Sequence, residues 1–225
     1  MTEPLDRPVW QALTTRHAAL AEGGETARRF RPDISLFAST RDDAPESLAA
    51  LEALLLPGDT GLFMQAAPIR LPQTLTPTLT GEAVQMVAEA PFPFDEDPRI
   101  ELLAERDAAE MLDLATLTKP GPFTLKAQSL GRFWGIRLDG RLVAMAGERL
   151  KQPGLTELSG VCTHPDMRGR GMGRSLSLHV MRQIFVAGDR AFLHAWAANT
   201  AAIGLYQSIG FELRSSMHVA AAVKT

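Results

Sequence analysis

The stretch Val161-Cys162-Thr163-His164-Pro165-Asp166-Met167-Arg168-Gly169-Arg170-Gly171-Met172-Gly173-Arg174-Ser175 decides the reading of this 225-residue chain. An apolar strand runs into a proline turn and a glycine-rich loop. A helix follows from about Arg174 to Val186, with Leu176, Val180 and Ile184 spaced by four. Glycines let successive backbone N–H groups turn toward one point, and a helix N-terminus adds partial positive charge there. Arg168, Arg170 and Arg174 add full charges of the same sign. The pattern predicts a pyrophosphate site, with a flexible surface turn as the plain alternative. It is no Walker A loop, because no Gly-Lys-Ser/Thr closes it. It is a poor dinucleotide fingerprint too, because position 174 is Arg and the only acidic residue at ribose-reading distance, Asp189, ends a helix.

Upstream of the loop, Ile100 to Leu103 reads as a strand and Asp107 as the cap of a helix to about Thr118. Lys119-Pro120-Gly121-Pro122-Phe123 breaks that helix. Arg132–Leu138 and Leu142–Leu150 read as a hairpin about Asp139-Gly140, and Thr156–Thr163 as a third strand. Downstream come a strand at Ala191–Ala197, a helix at Thr200–Ile209 opened by Asn199 and closed by Gly210, and a final strand within Phe211–Val223. The order is βαβββαβαβ.

Residues 90–98 hold three prolines and three acids, which neither a helix nor a central strand accommodates. They predict a linker between a small α/β part at 1–95 and a larger domain at 96–225. In the first part, Val9–Ala21 and Pro45–Leu56 read as helices, and Ile34–Ala38, Gly61–Ala66 and Ala83–Glu89 as strands. The first part carries net charge −6 and the second +3, so an anionic small molecule belongs on the second.

Composition narrows the class. Apolar residues are 45% and charged residues 22%, as in ordinary globular proteins. No apolar run reaches the ~20 residues that span a bilayer, and a net charge of −3 gives no nucleic-acid footprint. The single cysteine, Cys162, and the lack of an export signal at the N-terminus lead to the expectation of a cytoplasmic protein without membrane or nucleic-acid partners. No His/Cys spacing suits a metal.

Residues 161–173 resemble the signature of the GNAT superfamily of acyl-CoA-dependent N-acetyltransferases: a strand ending V-x-x-x-P, then Arg/Gln-x-x-Gly-x-Gly/Ala opening a helix. Residues 199–211, Asn-Thr-Ala-Ala-Ile-Gly-Leu-Tyr-Gln-Ser-Ile-Gly-Phe, resemble the superfamily's later N-x-x-A-x-x-x-Y-x-x-x-G-F block. The likeness covers about 99–223 and is nearest to the FR47-like group. It implies an α+β fold with a mixed, mostly antiparallel central sheet and helices on both faces. The first 95 residues would be a smaller α/β part, for which a decayed half of the same fold is one reading.

The resemblance also implies a cosubstrate, acetyl-CoA, and places it. Its pyrophosphate would lie on the backbone of Arg168, Gly169, Arg170, Gly171, Met172, Gly173 and Arg174, with Ser175 assisting. Its pantetheine arm would pair as an extra strand beside Val161, Cys162 and Thr163, in a slot opened by splaying from the next strand. Asn199 would hold the cofactor chain, or cap the following helix, or both. Tyr206 would protonate the departing thiolate; a half-buried helix aromatic is the alternative.

Glu157 resembles a glutamate base acting through water, and a solvent-facing strand residue is its alternative, since Glu157, Ser159, Val161 and Thr163 share one face of a regular strand. Glu148 and His164 are second candidates for the base. Cys162 reads as a buried small residue, and His179 and His194 as core or surface histidines. The acceptor is expected to be a small-molecule or peptide amine, with a homodimer as one expected assembly. A non-catalytic CoA-binding regulatory module is the rival function.

Overall fold

The computed structural model describes residues 3–225. Its larger sheet has eight strands in the order β4-β11-β5-β10-β9-β8-β7-β6: β4 Thr60–Gln65, β5 Leu75–Ala88, β6 Ile100–Leu103, β7 Phe133–Leu138, β8 Arg141–Gln152, β9 Leu155–Thr163, β10 Arg190–Trp196 and β11 Glu212–Lys224. Every pairing is antiparallel except β9 with β10. A second sheet holds β1 Ala21–Gly23, β2 Ala27–Phe30 and β3 Ala38–Thr40. The helices are α1 Pro8–Thr14, α2 Pro45–Leu54, α3 Ala108–Thr118, α4 Met172–Val186 and α5 Thr200–Gln207. The fold is therefore α+β, with the expected mixed, mostly antiparallel sheet, and from residue 100 the order βαβββαβαβ is as read.

Helices cover both faces. Leu176, Val180 and Ile184 of α4 bury against Ala144, Ala146 and Leu158, and Tyr206 of α5 joins the same core. On the other face α1 packs on Leu150, Leu155 and Phe192, and α3 on Met145 and Cys162. Among the described residues, no helix is long and apolar enough to cross a membrane.

The proline-rich segment at 90–98 carries no helix or strand, yet the large sheet runs across it. β5, which precedes it, lies between β10 and β11, and β4 closes the sheet edge beside β11. Several local expectations are corrected. The strand placed at Ile34–Ala38 begins only at Ala38, and Leu36 to Phe37 instead bridge to Leu62. The helix from Val9 stops at Thr14, and β2 was not foreseen. The strand from Ala83 starts earlier, at Leu75, and includes Pro77. Residues 75–82 pair with β11 alone, because β10 ends opposite Ala83, so the missing N–H of Pro77 costs no ladder bond on the open side. Asp107 does not cap α3 with its side chain; it accepts from the Ala104 N–H and from Arg137 at 2.8 Å each.

Candidate active site

The site is built by a parting of two strands. β9 and β10 pair in parallel only from Leu155 to Glu157, and beyond that β10 stays with β5 as far as Trp196 opposite Ala83. The edge of β9 from Leu158 to Thr163 is left facing a slot. A bulge sharpens the parting: Met145 faces Cys162 while Gly147 faces Ser159, so Gly160 and Val161 together oppose Ala146. Gly160 sits at φ +64°, and a Cβ there would stand 2.9 Å from the Phe133 ring; only glycine meets both conditions.

The bulge also reverses the alternation of β9. Val161 packs toward the α4 core, and Cys162 turns to the α3 side with Met145. The expectation that Glu157, Val161 and Thr163 share a face is corrected by this one inserted residue.

The slot opens into a cavity of about 610 Å³, bordered by Val161, Cys162, Thr163, Arg168, Gly173, Asn199 and Tyr206. At one end the glycine loop takes its expected form. Gly169 and Gly171 have φ +75° and +76°, and Gly171 is the N-cap of the 15-residue α4. The first backbone bond into the helix runs from the Ser175 N–H to the Gly171 carbonyl. Among the described residues, the N–H groups from 169 to 174 find no backbone acceptor, and Arg168, Arg170 and Arg174 form no ion pair. Exposed donors and unneutralised cations at a helix N-terminus suit a pyrophosphate. The residues present thus fit coenzyme A: a phosphate cradle at one end and an unpaired strand edge for an amide chain along the slot.

Asn199 both caps and lines. Its Oδ1 accepts the Ala202 N–H at 3.1 Å, and its amide nitrogen is left for the cavity it borders. Tyr206 is 9% exposed, stacked edge-on against Phe211 at 6.0 Å, and burial pushes its phenol up to about 12. Its hydroxyl has no protein partner among the described residues. Cys162 is buried, and its thiol is raised to about 11 by the same cause. It is no nucleophile at neutral pH.

Glu157 does not reach the cavity. It is fully buried. Arg149 donates to it from Nε at 2.8 Å and Nη2 at 2.7 Å, the Leu150 N–H donates at 3.2 Å, and His194 Nδ1 lies at 2.7 Å. Burial opposes the charge on Glu157, but these donors outweigh it and hold the carboxyl far below the usual range. A carboxylate held that strongly is a poor proton acceptor, and the expected base role is corrected on that ground. Glu148 is tied to Arg132 and Lys151, and His164 caps its own turn by accepting from Asp166 N–H.

The sequence reading missed His194 and Arg149, which both border the cavity. They belong to a polar row across the sheet. Gln85 donates from Nε2 to His194 Nε2 at 2.9 Å and accepts at Oε1 from Arg214 at 2.8 Å. The ring proton of His194 is thereby fixed on Nδ1, pointing at Glu157. Arg214 reaches Gln85 because it is the extra residue in a bulge of β11 between Leu213 and Ser215. Only a register beside β5, absent from the sequence pattern, could have joined these residues.

Residues 133–219 match the family described as FR47-like protein. The chain is 38% identical to a GNAT-family protein from Novosphingobium aromaticivorans whose crystal structure is known, over 100% of both chains, with a TM-score of 0.94. The chain belongs to the GNAT acetyltransferase family. Two more distant GNAT structures share the fold: a GCN5-related N-acetyltransferase from Kribbella flavida (14% identity, 100% of this chain and 97% of that one, TM-score 0.69) and a GCN5-related N-acetyltransferase-like protein from Streptococcus suis (14%, 96% and 92%, 0.56). No curated protein matches. In this GNAT chain Asn199 and Tyr206 of the later block border the same cavity as Arg168 and Gly173 of the loop, so the two sequence blocks meet at one cavity.

Proposed function

We propose that the chain is an N-acetyltransferase that uses acetyl-CoA and passes the acyl group to a primary amine by direct attack. The observation that carries this reading is one cavity joining an unpaired phosphate cradle, an unpaired strand edge and a buried phenol without a partner. Acetyl-CoA supplies the activated thioester. Residues 169–174 and the three arginines bind its phosphates, and β9 from Leu158 to Thr163 holds its amide arm.

In the transfer, the amine nitrogen forms a bond to the acyl carbon and the C–S bond breaks. The departing sulfur takes the proton of Tyr206, the nitrogen gives up one proton, and the phenol is reprotonated, so that an amine and acetyl-CoA yield an amide and the free thiol. A phenol held protonated up to about 12 is available as that acid throughout the neutral range. The bulge at Gly160–Val161 frees a backbone N–H for the developing oxyanion. Among the described residues no carboxylate borders the cavity, so in this reading the amine arrives neutral from solution.

Calorimetry with acetyl-CoA and a thiol-release assay over an amine panel test the reading. Binding with release of free thiol supports it; no binding at millimolar acetyl-CoA overturns it. Binding without turnover of any amine returns the chain to a regulatory CoA-binding role.

A further inference from the structure

Resting on the acetyltransferase reading above, we propose that the acceptor is an α-amino acid with a large apolar side chain, and that Arg149 binds its carboxylate. The half of the cavity beyond the cofactor slot is walled by Phe37, Leu62, Met64, Trp196 and Val219. This wall favours an apolar body. The charged residues bordering the cavity are Lys119, Arg149 and Arg168, with no aspartate or glutamate. Arg168 stands at the phosphate end. A polyamine or a lysine-rich peptide would bring additional cations to a place without a counter-charge, which is costly away from water.

Arg149 is built to present one nitrogen. Glu157 grips Nε and Nη2, and the guanidinium lies over the Phe37 ring at 5.0 Å. The side chain is only 15% exposed. Nη1 has no acceptor among the described residues. A guanidinium fixed on one side, with free N–H groups on the other, suits a carboxylate better than a mobile lysine does. Glu157 pairs with the other edge of Arg149, so recognition rests on the directed Nη1 N–H groups rather than on net charge.

Its place fits the reaction too. Arg149 borders both the main cavity and a smaller adjoining one lined by Ser159 and Gly160. A carboxylate on Arg149 therefore sits beside the bulge of β9. In an α-amino acid the amine and the carboxylate are borne on one carbon, so holding the carboxylate on Arg149 also fixes where the amine stands in the cavity.

The test compares L-phenylalanine with phenethylamine, the same body without a carboxylate, and with spermidine, by thiol release with acetyl-CoA. Phenylalanine is expected to exceed phenethylamine in kcat/KM by about ten- to a hundredfold, the worth of a charged hydrogen bond. In R149K, which keeps the charge but loses the fork, that ratio is expected to collapse toward one through KM, while acetyl-CoA affinity by calorimetry holds. Phenethylamine or spermidine matching phenylalanine overturns the inference, as does acetyl-CoA binding without turnover of phenylalanine, or an equal fall for both acceptors in R149K. Failure to bind acetyl-CoA would instead remove the acetyltransferase reading beneath it. Should R149K not fold, the wild-type comparison decides alone.

Discussion

Replacing Tyr206 by Phe separates chemistry from structure, because the hydroxyl makes no hydrogen bond within the described residues while the ring is 9% exposed and packed on Phe211. Removing the oxygen leaves no buried group unsatisfied and no cavity in the core, so the stability change is expected within about 0.5 kcal/mol. Loss of a positioned general acid lowers rates by roughly 10²–10⁴-fold, or about 3–5 kcal/mol of barrier. Acetyl-CoA affinity should not move, since the phosphate cradle and the β9 edge are untouched. The wild-type rate should rise with pH as the acceptor ammonium loses its proton, with no descending limb at mildly alkaline pH, because the phenol stays protonated up to about 12. The assay is thiol release at saturating acetyl-CoA, with calorimetry and urea denaturation on both proteins. A Phe variant that keeps kcat within about threefold, or that loses cofactor affinity together with rate, would refute the assignment.

Gly160→Ala combines a left-handed φ of +64° with a Cβ 2.9 Å from Phe133; it should cost about 2–4 kcal/mol from backbone strain and overpacking and weaken acetyl-CoA binding, as read by chemical denaturation and calorimetry. Asn199→Asp keeps the oxygen that accepts the Ala202 N–H but loses the amide donor, so helix stability should hold while the KM for acetyl-CoA rises; Asn199→Ala should cost about 1 kcal/mol of stability as well. His17, buried with its ring at 3.0 Å from the Leu130 carbonyl, is lowered from 6.5 to about 4 chiefly by burial. The unfolded chain therefore takes up this proton first, so the stability it contributes is complete above pH 6.5 and falls by up to about 3 kcal/mol as pH drops to about 4. Urea midpoints of wild type and H17Q should converge across that window, and parallel curves would refute the assignment.

The part from residue 96 onward could be read from sequence because its signals are local. Asp139 and Gly140 both take positive φ, +51° and +79°, as a tight hairpin demands. Gly169 and Gly171 do so where the loop meets α4, and the period of Leu176, Val180 and Ile184 survives as burial. The site's polar row could not be read that way. Glu157 looks like a solvent-facing strand residue in the sequence, yet it is fully buried against Arg149 and His194. The bulges at Gly160–Val161 and Arg214 shift faces by one residue without leaving a periodic trace. β5 runs upstream of Ala83 through Pro77, which is tolerable because β10 ends opposite Ala83 and leaves that side of the strand open.

The positions of β5 and β11 bring residues of the first part of the chain into the wall proposed for the acceptor. β10 forms one lip of the cofactor slot, and its outer neighbour is β5 rather than any strand from beyond residue 100. β11 then pairs with both β5 and β4. Phe37 and Leu62, joined by their own bridge, thus face the same cavity as Val161 and Tyr206. The cradle for the cofactor comes from one glycine loop, whereas the opposite wall is assembled from β4, β11 and the segment before β3. Substitutions at Phe37 or Leu62 reach the acceptor wall without touching the loop, so they should change which amine is accepted while leaving the cofactor cradle whole.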